Sequence, residues 1–125
     1  MNSVQEAKRY IDNAKEILRE KAHKDNGFYA DRKYIRMVGN TAYNGILVAL
    51  DGILEMKVKG RKDVNWYRKR LTKQDKHILN AFLSAYDTLH LALGYDGNLD
   101  VKVAEEGLED AETIINWVEQ RTAMA

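Results

Sequence analysis

Residues 43–54 read Tyr43-Asn44-Gly45-Ile46-Leu47-Val48-Ala49-Leu50-Asp51-Gly52-Ile53-Leu54, and this stretch decides the fold. Apolar residues run through it, and through the residues before it, at steps of three and four, the spacing of one helix face. This first apolar row consists of Ile35, Val38, Ala42, Ile46, Ala49 and Ile53. Asp31 can cap the N-terminus and Gly60 can end the helix. The pattern predicts a long helix over about 31–58.

The same helix carries a second apolar row, which consists of Tyr43, Leu47, Leu50 and Leu54. Together the two rows cover a wider arc than one core face requires. The helix should therefore be buried on two sides, either at the centre of the chain or at a subunit interface. We predict that the protein is a homodimer, with the second row at or near the interface.

Three glycines, Gly39, Gly45 and Gly52, lie inside this predicted helix. Each costs about 1 kcal/mol of helix propensity relative to alanine. Close approach of a neighbouring backbone is one explanation, and tolerated small residues in a core are the other.

The rest of the chain shows the same helical spacing. A capping box of Ser3 and Glu6 opens a first helix over about 3–25, which Asp25-Asn26-Gly27 ends. The later helices are predicted over about 73–93, opened by a Thr72–Asp75 cap, and over about 101–121, capped by Asp100. Asp63 can cap a short extra helix between the second and third.

These elements predict an all-α fold without strands, an antiparallel up-down four-helix bundle in one domain over residues 1–125. The composition agrees, because the chain has no proline, which helix interiors exclude, and 45% apolar residues. The absence of cysteine excludes disulfides and thiolate nucleophiles, and it is consistent with a cytoplasmic location. No apolar run is long enough for a membrane span, and the N-terminus does not read as a signal peptide.

Charge is distributed unevenly along the chain. Residues 57–76 hold nine basic and two acidic side chains, whereas residues 94–125 hold eight acidic and two basic ones. One interpretation is a phosphate- or nucleic-acid-binding edge in which aromatic rings stack on bases. Its candidate residues are Lys59, Arg61, Lys62, Trp66, Tyr67, Arg68, Lys69 and Arg70. The other, favoured by a net charge of only +1, is a loop folded against the acidic fourth helix.

Two acid-x-x-His pairs, Glu20 with His23 and Asp87 with His90, have the spacing of ligands in carboxylate-bridged di-metal bundles. Matching carboxylates are not found at the same level of the second and fourth helices. We therefore predict neither a metal nor another cofactor, and keep the di-metal bundle as an alternative. Arg70 and His77 have a spacing known from helical ribonucleases, but Leu71 replaces the usual polar residue after the arginine.

The stretch from Tyr43 to Leu54 resembles the second helix of HEPN-type bundles, and Ala7-Lys8-Arg9-Tyr10-Ile11-Asp12-Asn13-Ala14 resembles their first helix. The chain looks like a small, uncharacterised bacterial family of single HEPN-like bundles. The resemblance implies a dimer and, as an alternative function, a nucleotide- or RNA-binding accessory module, with a nucleotidyltransferase as a partner. The arginine–histidine signature of HEPN nucleases is missing from the fourth helix, so no nuclease activity is implied.

A four-helix bundle also resembles the C-terminal domain of acyl-CoA dehydrogenases. Those enzymes enclose their flavin with a β-domain and a second helical domain, which this chain lacks, so the activity is not expected. The sequence as a whole predicts a non-enzymatic, homodimeric helical protein that works by binding.

Overall fold

A computed structural model describes residues 2–54 and 62–124. Over these residues the chain is all-α apart from one small hairpin. Its elements are α1 (Ser3–Glu20), β1 (Lys24–Asp25), β2 (Phe28–Tyr29), α2 (Arg32–Asp51), α3 (Val64–Thr72), α4 (Lys76–Ala85), a π-helical segment (Tyr86–Tyr95) and α5 (Val101–Met124). None of the helices in this part of the chain is long and apolar enough to cross a membrane.

The N-cap of helix α1 is Asn2, one residue before the predicted cap, Ser3. The Asn2 side chain accepts a hydrogen bond of 2.8 Å from the Gln5 backbone N–H, and the Gln5 side chain accepts one of 3.2 Å from the Asn2 N–H. The predicted box of Ser3 and Glu6 is therefore wrong, because asparagine and glutamine supply the same two bonds one position upstream. The buried face of Val4, Ala7, Ile11 and Ala14 follows the predicted spacing.

The predicted end of the first helix and the predicted absence of strands are also wrong. Helix α1 stops at Glu20, and strands β1 and β2 then pair antiparallel, with Lys24 opposite Tyr29. Asn26 and Gly27 form the two-residue turn with φ values of 49° and 83°. Positive φ at both central residues is the mark of a type I′ hairpin turn, which Asn-Gly strongly favours.

The hairpin is attached to the start of α5. The Tyr29 N–H donates a hydrogen bond of 2.8 Å to the Leu99 carbonyl, and the Val101 N–H donates one of 3.0 Å to the Gly27 carbonyl. Asp100 caps α5 as predicted, because its side chain accepts from the Lys102 N–H at 2.8 Å.

Helix α2 begins after its predicted cap, Asp31, but ends at Asp51. Gly52 follows as the C-terminal cap, and its N–H bonds to the Ala49 carbonyl at 3.1 Å, which tightens the last turn. The predicted continuation to residue 58 is therefore wrong for residues 52–54, and its remainder lies outside the described residues.

The short extra helix is confirmed as α3, and Asp63 caps it by accepting from the Trp66 N–H at 3.0 Å. The next helix is predicted from about residue 73, but α4 begins at Lys76. Thr72 ends α3 instead of opening α4, and Asp75 caps α4 by accepting from the Ile78 N–H at 3.0 Å.

The chain continues from α4 directly into the π-helical segment. This wider helix brings its backbone close to its neighbours, where two glycines make room. A Cβ atom on Gly39 of α2 would lie 2.3 Å from the Leu89 carbonyl oxygen, and one on Gly107 of α5 would lie 2.5 Å from Leu89 Cδ2. The glycines thus permit the close packing around Leu89.

Helix α2 is covered on two sides within one chain, as the central alternative predicts. Gly45 lies against Ala7 and Tyr10 of α1, while Gly39 lies against the π-helical segment. All five α-helices contribute to one apolar core. Its largest fully buried side chains are Phe82, Ile35, Ile46, Leu50, Leu71, Leu89, Leu93, Ile114, Val38 and Val118.

Candidate functional site

A cleft of about 460 Å³ lies between α2, the start of α3 and the π-helical segment. It is lined by Asn40, Tyr43, Asn44, Leu47, Lys62, Asp63, Val64, Tyr67, Tyr86 and His90. Pockets for small molecules span roughly 300–1,000 Å³, with mostly apolar and aromatic walls and a few polar groups. This cleft therefore has the size and the mixture of side chains of a small-molecule site.

Three rings form one wall of the cleft. The ring centroids of Tyr43 and His90 are 4.8 Å apart with their planes inclined by 29°, and those of Tyr86 and His90 are 5.2 Å apart. Tyr43 and Tyr86 meet edge to face at 6.0 Å. Tyr86 and His90 belong to the π-helical segment and Tyr43 to α2, so the close approach of these two elements builds the wall.

Tyr43 is almost completely buried, with 7% of its surface exposed, and it lines the cleft. Its hydroxyl has no hydrogen-bond partner among residues 2–54 and 62–124. Burial, with a smaller contribution from Tyr86, raises the pKa of Tyr43 far above its ordinary value. The hydroxyl therefore stays a neutral donor at physiological pH.

At the other end of the cleft, three polar side chains meet. The Tyr67 hydroxyl donates to Asp51 Oδ1 at 2.8 Å, and Lys62 Nζ lies 2.9 Å from the same oxygen. Burial and this hydrogen bond raise the pKa of Tyr67. Lys62 also lies 5.4 Å from the ring centroid of Trp66. The charges of Lys62 and Asp51 are thus paired with each other.

Two asparagines of α2 form the polar rim. The Asn40 amide donates to the Gly94 carbonyl at 3.4 Å, at the end of the π-helical segment. Asn44 lies one turn further along, is exposed, and makes no side-chain hydrogen bond within the described residues. Stacking surfaces, phenol donors and an amide suit reversible binding, because none of these groups is an activated nucleophile.

Among the described residues that are predicted to bind phosphate, Lys62 and Arg70 both lie beside the Trp66 ring, each 5.4 Å from its centroid. Lys59 and Arg61 lie outside the described residues. Tyr67 is 3% exposed and therefore cannot stack on a base. The Arg70 guanidinium lies over the face of the Trp66 ring. Arg68 and Lys69 point to solvent, and Lys62 lines the cleft.

The acidic helix α5 makes its ion pairs with α1. Lys8 Nζ lies 2.7 Å from Glu119, and Lys15 pairs with Glu112. Arg121 of α5 donates to Gln74, just after α3, at 3.0 Å. At this point the described part of the basic segment therefore contacts α5 through a neutral amide acceptor, Gln74, and the positive charge belongs to α5.

The structure does not combine the two acid–histidine pairs into a metal site. His23 is exposed in the connection before β1, with a φ of 49°, and Glu20 lies 3.9 Å from Arg19. Asp87 is exposed, while His90 stacks on Tyr43. Within residues 2–54 and 62–124, no three histidine, aspartate or glutamate side chains come together in a way that could hold a metal ion.

The second apolar row of α2 is largely used inside the chain. Tyr43, Leu50 and Leu54 are 7%, 0% and 5% exposed, and all three belong to the core. Leu47 is half-buried and lines the cleft. One chain therefore explains most of the width of the apolar arc, and the dimer interface at this row stays a prediction.

Comparison with known proteins shows which family the chain belongs to. A solved structure of a protein of unknown function from Dyadobacter fermentans is similar, with 55% sequence identity and a TM-score of 0.93. The alignment covers 95% of this chain and 95% of that one. No curated protein matches the sequence. The family model described as a domain of unknown function, DUF5618, matches residues 2–120, so the chain belongs to this family.

Proposed function

We propose that this protein is a non-catalytic binding protein whose ligand is a small molecule held in the cleft between α2, α3 and the π-helical segment. The observation that carries the proposal is Tyr43, an almost completely buried side chain that lines the cleft and whose hydroxyl has no protein partner within the described residues. The hydroxyl is not among the fully buried side-chain atoms without a partner in the described structure, so water can reach it from the cleft, and an acceptor on a ligand can replace that water.

Binding is favoured over catalysis by the state of the acidic groups at the cleft. Asp51 accepts from Tyr67 and pairs with Lys62, while Asp63 accepts from the Trp66 backbone. Carboxylates engaged in this way hold the structure together and are poorly placed to take a proton from a substrate.

Ligand-observed NMR with a fragment library tests the proposal, using one variant that fills the cleft. Asn44→Trp places a large ring at an exposed helical position on its rim. Asn80→Trp is the matched control, because Asn80 is also exposed and helical but does not line the cleft. We expect fragments that bind the wild-type protein and Asn80→Trp but not Asn44→Trp.

Fragments that bind all three proteins equally would show that they occupy another surface. A library without hits against the wild-type protein would contradict the proposal as well. Circular dichroism spectra of the two variants establish that both are folded before their binding is compared.

The finer structural and functional predictions remain proposals. Contacts of α2 with α1, α5 and the π-helical segment, and of α4 with α5, support the four-helix bundle that the helical spacing predicts. The HEPN-like relationship, the single domain, the cytoplasmic location and the nucleotidyltransferase partner rest on the sequence alone. Nucleic-acid binding at the basic segment is the alternative function, and the salt dependence of oligonucleotide binding tests it.

The homodimer is also still a proposal, and sedimentation equilibrium tests it. Leu47→Glu is the suitable variant, because Leu47 is only half-buried. A glutamate at Leu54, which is 5% exposed, is expected to destabilise the monomer itself.

A further inference from the structure

We propose that the ligand of the cleft is a small, neutral, planar heteroaromatic lactam, a ring that carries an N–H and a carbonyl on adjacent atoms. This inference rests on the proposed function and adds the chemical class of the ligand. It follows from the charges, the shape and the uncommitted hydrogen-bonding groups of the cleft.

The charges favour a neutral ligand. Lys62 is paired with Asp51 at 2.9 Å, and Asp63 is engaged as the N-terminal cap of α3. An anionic ligand would have to draw Lys62 away from Asp51, and a cationic one would compete with Lys62 for it. Breaking a half-buried pair leaves one charge without compensation, so a ligand without net charge binds at the lowest cost.

The shape favours a flat aromatic ring. Tyr86 and His90 present a ring wall, and Leu47 and Val64 add apolar surface. Aromatic rings gain from offset or edge contacts with such a wall in addition to the area they bury. A saturated ligand of the same size gains only from burial.

The uncommitted polar groups favour a lactam edge. The Asn44 side chain carries a carbonyl acceptor and an amide donor, and neither is used within the described residues. A lactam presents the complementary N–H donor and carbonyl acceptor side by side, so that it can make both bonds with one asparagine. The Tyr43 hydroxyl, kept neutral by its burial, is available for a further acceptor on the ring.

The test compares 2-quinolone with N-methyl-2-quinolone, which has the same ring and carbonyl but lacks the N–H. Binding is followed by ¹H–¹⁵N NMR titration of the full chain. We expect 2-quinolone to shift the amide signals of Asn44 and His90, and to bind at least about tenfold more tightly than the methylated compound. A tenfold ratio corresponds to the loss of about one hydrogen bond.

Asn44→Leu is expected to abolish the preference for 2-quinolone, whereas the control Asn80→Leu is expected to retain it. Equal affinity for the two compounds, or a preference that survives Asn44→Leu, overturns the lactam assignment. So does the failure of both compounds to bind while other fragments occupy the cleft, an outcome that leaves the proposed function intact. If no fragment occupies the cleft, both proposals fail.

Discussion

The Tyr67 hydroxyl donates a hydrogen bond of 2.8 Å to Asp51, and this bond joins α3 to the last residue of α2. Asp51 and its second partner, Lys62, are 26% and 22% exposed, so the three groups are largely removed from water. We expect Tyr67→Phe to lower the free energy of unfolding by about 1.5–3 kcal/mol, the range for hydrogen bonds to charged groups.

Urea denaturation measures this loss. Tyr95→Phe is the control, because the Tyr95 side chain is 78% exposed, and it should leave the midpoint unchanged. A Tyr67→Phe midpoint equal to that of the wild-type protein would mean that the bond contributes nothing to stability.

Alanine at the two glycines around Leu89 should have unequal effects. At Gly39, a Cβ would meet backbone atoms, the Leu89 oxygen at 2.3 Å and the Gly94 nitrogen at 2.5 Å. At Gly107, it would meet side-chain atoms of Leu89 and Thr88, which can move. We expect Gly39→Ala to destabilise by roughly 1–3 kcal/mol or more despite the better helix propensity of alanine, and Gly107→Ala to cost less.

Thermal unfolding of the two variants and the wild-type protein shows which alanine lowers the melting temperature more. If Gly107→Ala is the less stable protein, or if Gly39→Ala is as stable as the wild type, the packing described around the π-helical segment is incorrect.

Substitutions at Gly27 test the conformation of the hairpin turn, because a side chain added there meets no neighbouring atom. Its φ is 83°, and an added Cβ would have no atom within 4 Å. We expect Gly27→Ala to cost about 1 kcal/mol because of the left-handed backbone alone, and Gly27→Asn to cost less, since asparagine tolerates that conformation. The melting temperatures should follow the order wild type, Asn, Ala; an alanine variant that melts at or above the asparagine variant contradicts the turn.

Asp110 should make the protein less stable as the pH rises. Burial raises its pKa, the neighbouring Glu106 and Glu109 raise it further, Ser84 opposes them, and Asp110 Oδ2 has no partner in the described structure. A raised pKa means that the folded state holds the proton more tightly than the unfolded state, whose value is about 3.9. The protonated form therefore favours folding at low pH, and this contribution is lost as the pH rises through the raised pKa.

We expect Asp110→Asn to be more stable than the wild type at pH 7 and to lose that advantage in acid. Urea denaturation across the acid range measures the difference, with the exposed Asp87→Asn as control. A difference that does not change with pH would assign the effect to packing instead of to the charge.

The sequence predicts the helices well wherever apolar residues recur at helical spacing. The first apolar row of α2 is buried at Ile35, Val38, Ala42, Ile46 and Ala49, α1 buries Val4, Ala7, Ile11 and Ala14 at the same spacing, and Asp31 and Asp63 act as caps. The sequence does not distinguish the hairpin from a helix end, because Asn26-Gly27 can equally end a helix or form a hairpin turn.

The π-helical segment has no comparable signal in the sequence. Leu89 and Leu93 continue the buried row of α4, which consists of Ile78, Phe82 and Ala85, and their spacing of four fits either kind of helix. The residues that make room for its wider backbone, Gly39 and Gly107, belong to α2 and α5. Their role is recognised only in the folded structure, where both lie against Leu89.

The cleft was beyond sequence reasoning for a similar reason. The sequence assigns five residues of the cleft to other roles, namely a dimer interface, a phosphate-binding site or a metal site. These residues are Tyr43, Leu47, Lys62, Tyr67 and His90. The cleft is formed by three elements that are separate in the sequence, and no local sequence pattern predicts that they pack together. The pair Asn40 and Asn44, one turn apart at the edge of an apolar helix, is the nearest signal, and it is also typical of an ordinary solvent-facing surface.

The most direct test of the account is a crystal structure of the protein soaked with a fragment that binds it in solution. We predict density for the fragment between Asn44 of α2 and Tyr86 of the π-helical segment, within hydrogen-bond distance of the Tyr43 hydroxyl. Density only at another surface, with the cleft holding solvent alone, would contradict the assignment of the cleft as the binding site.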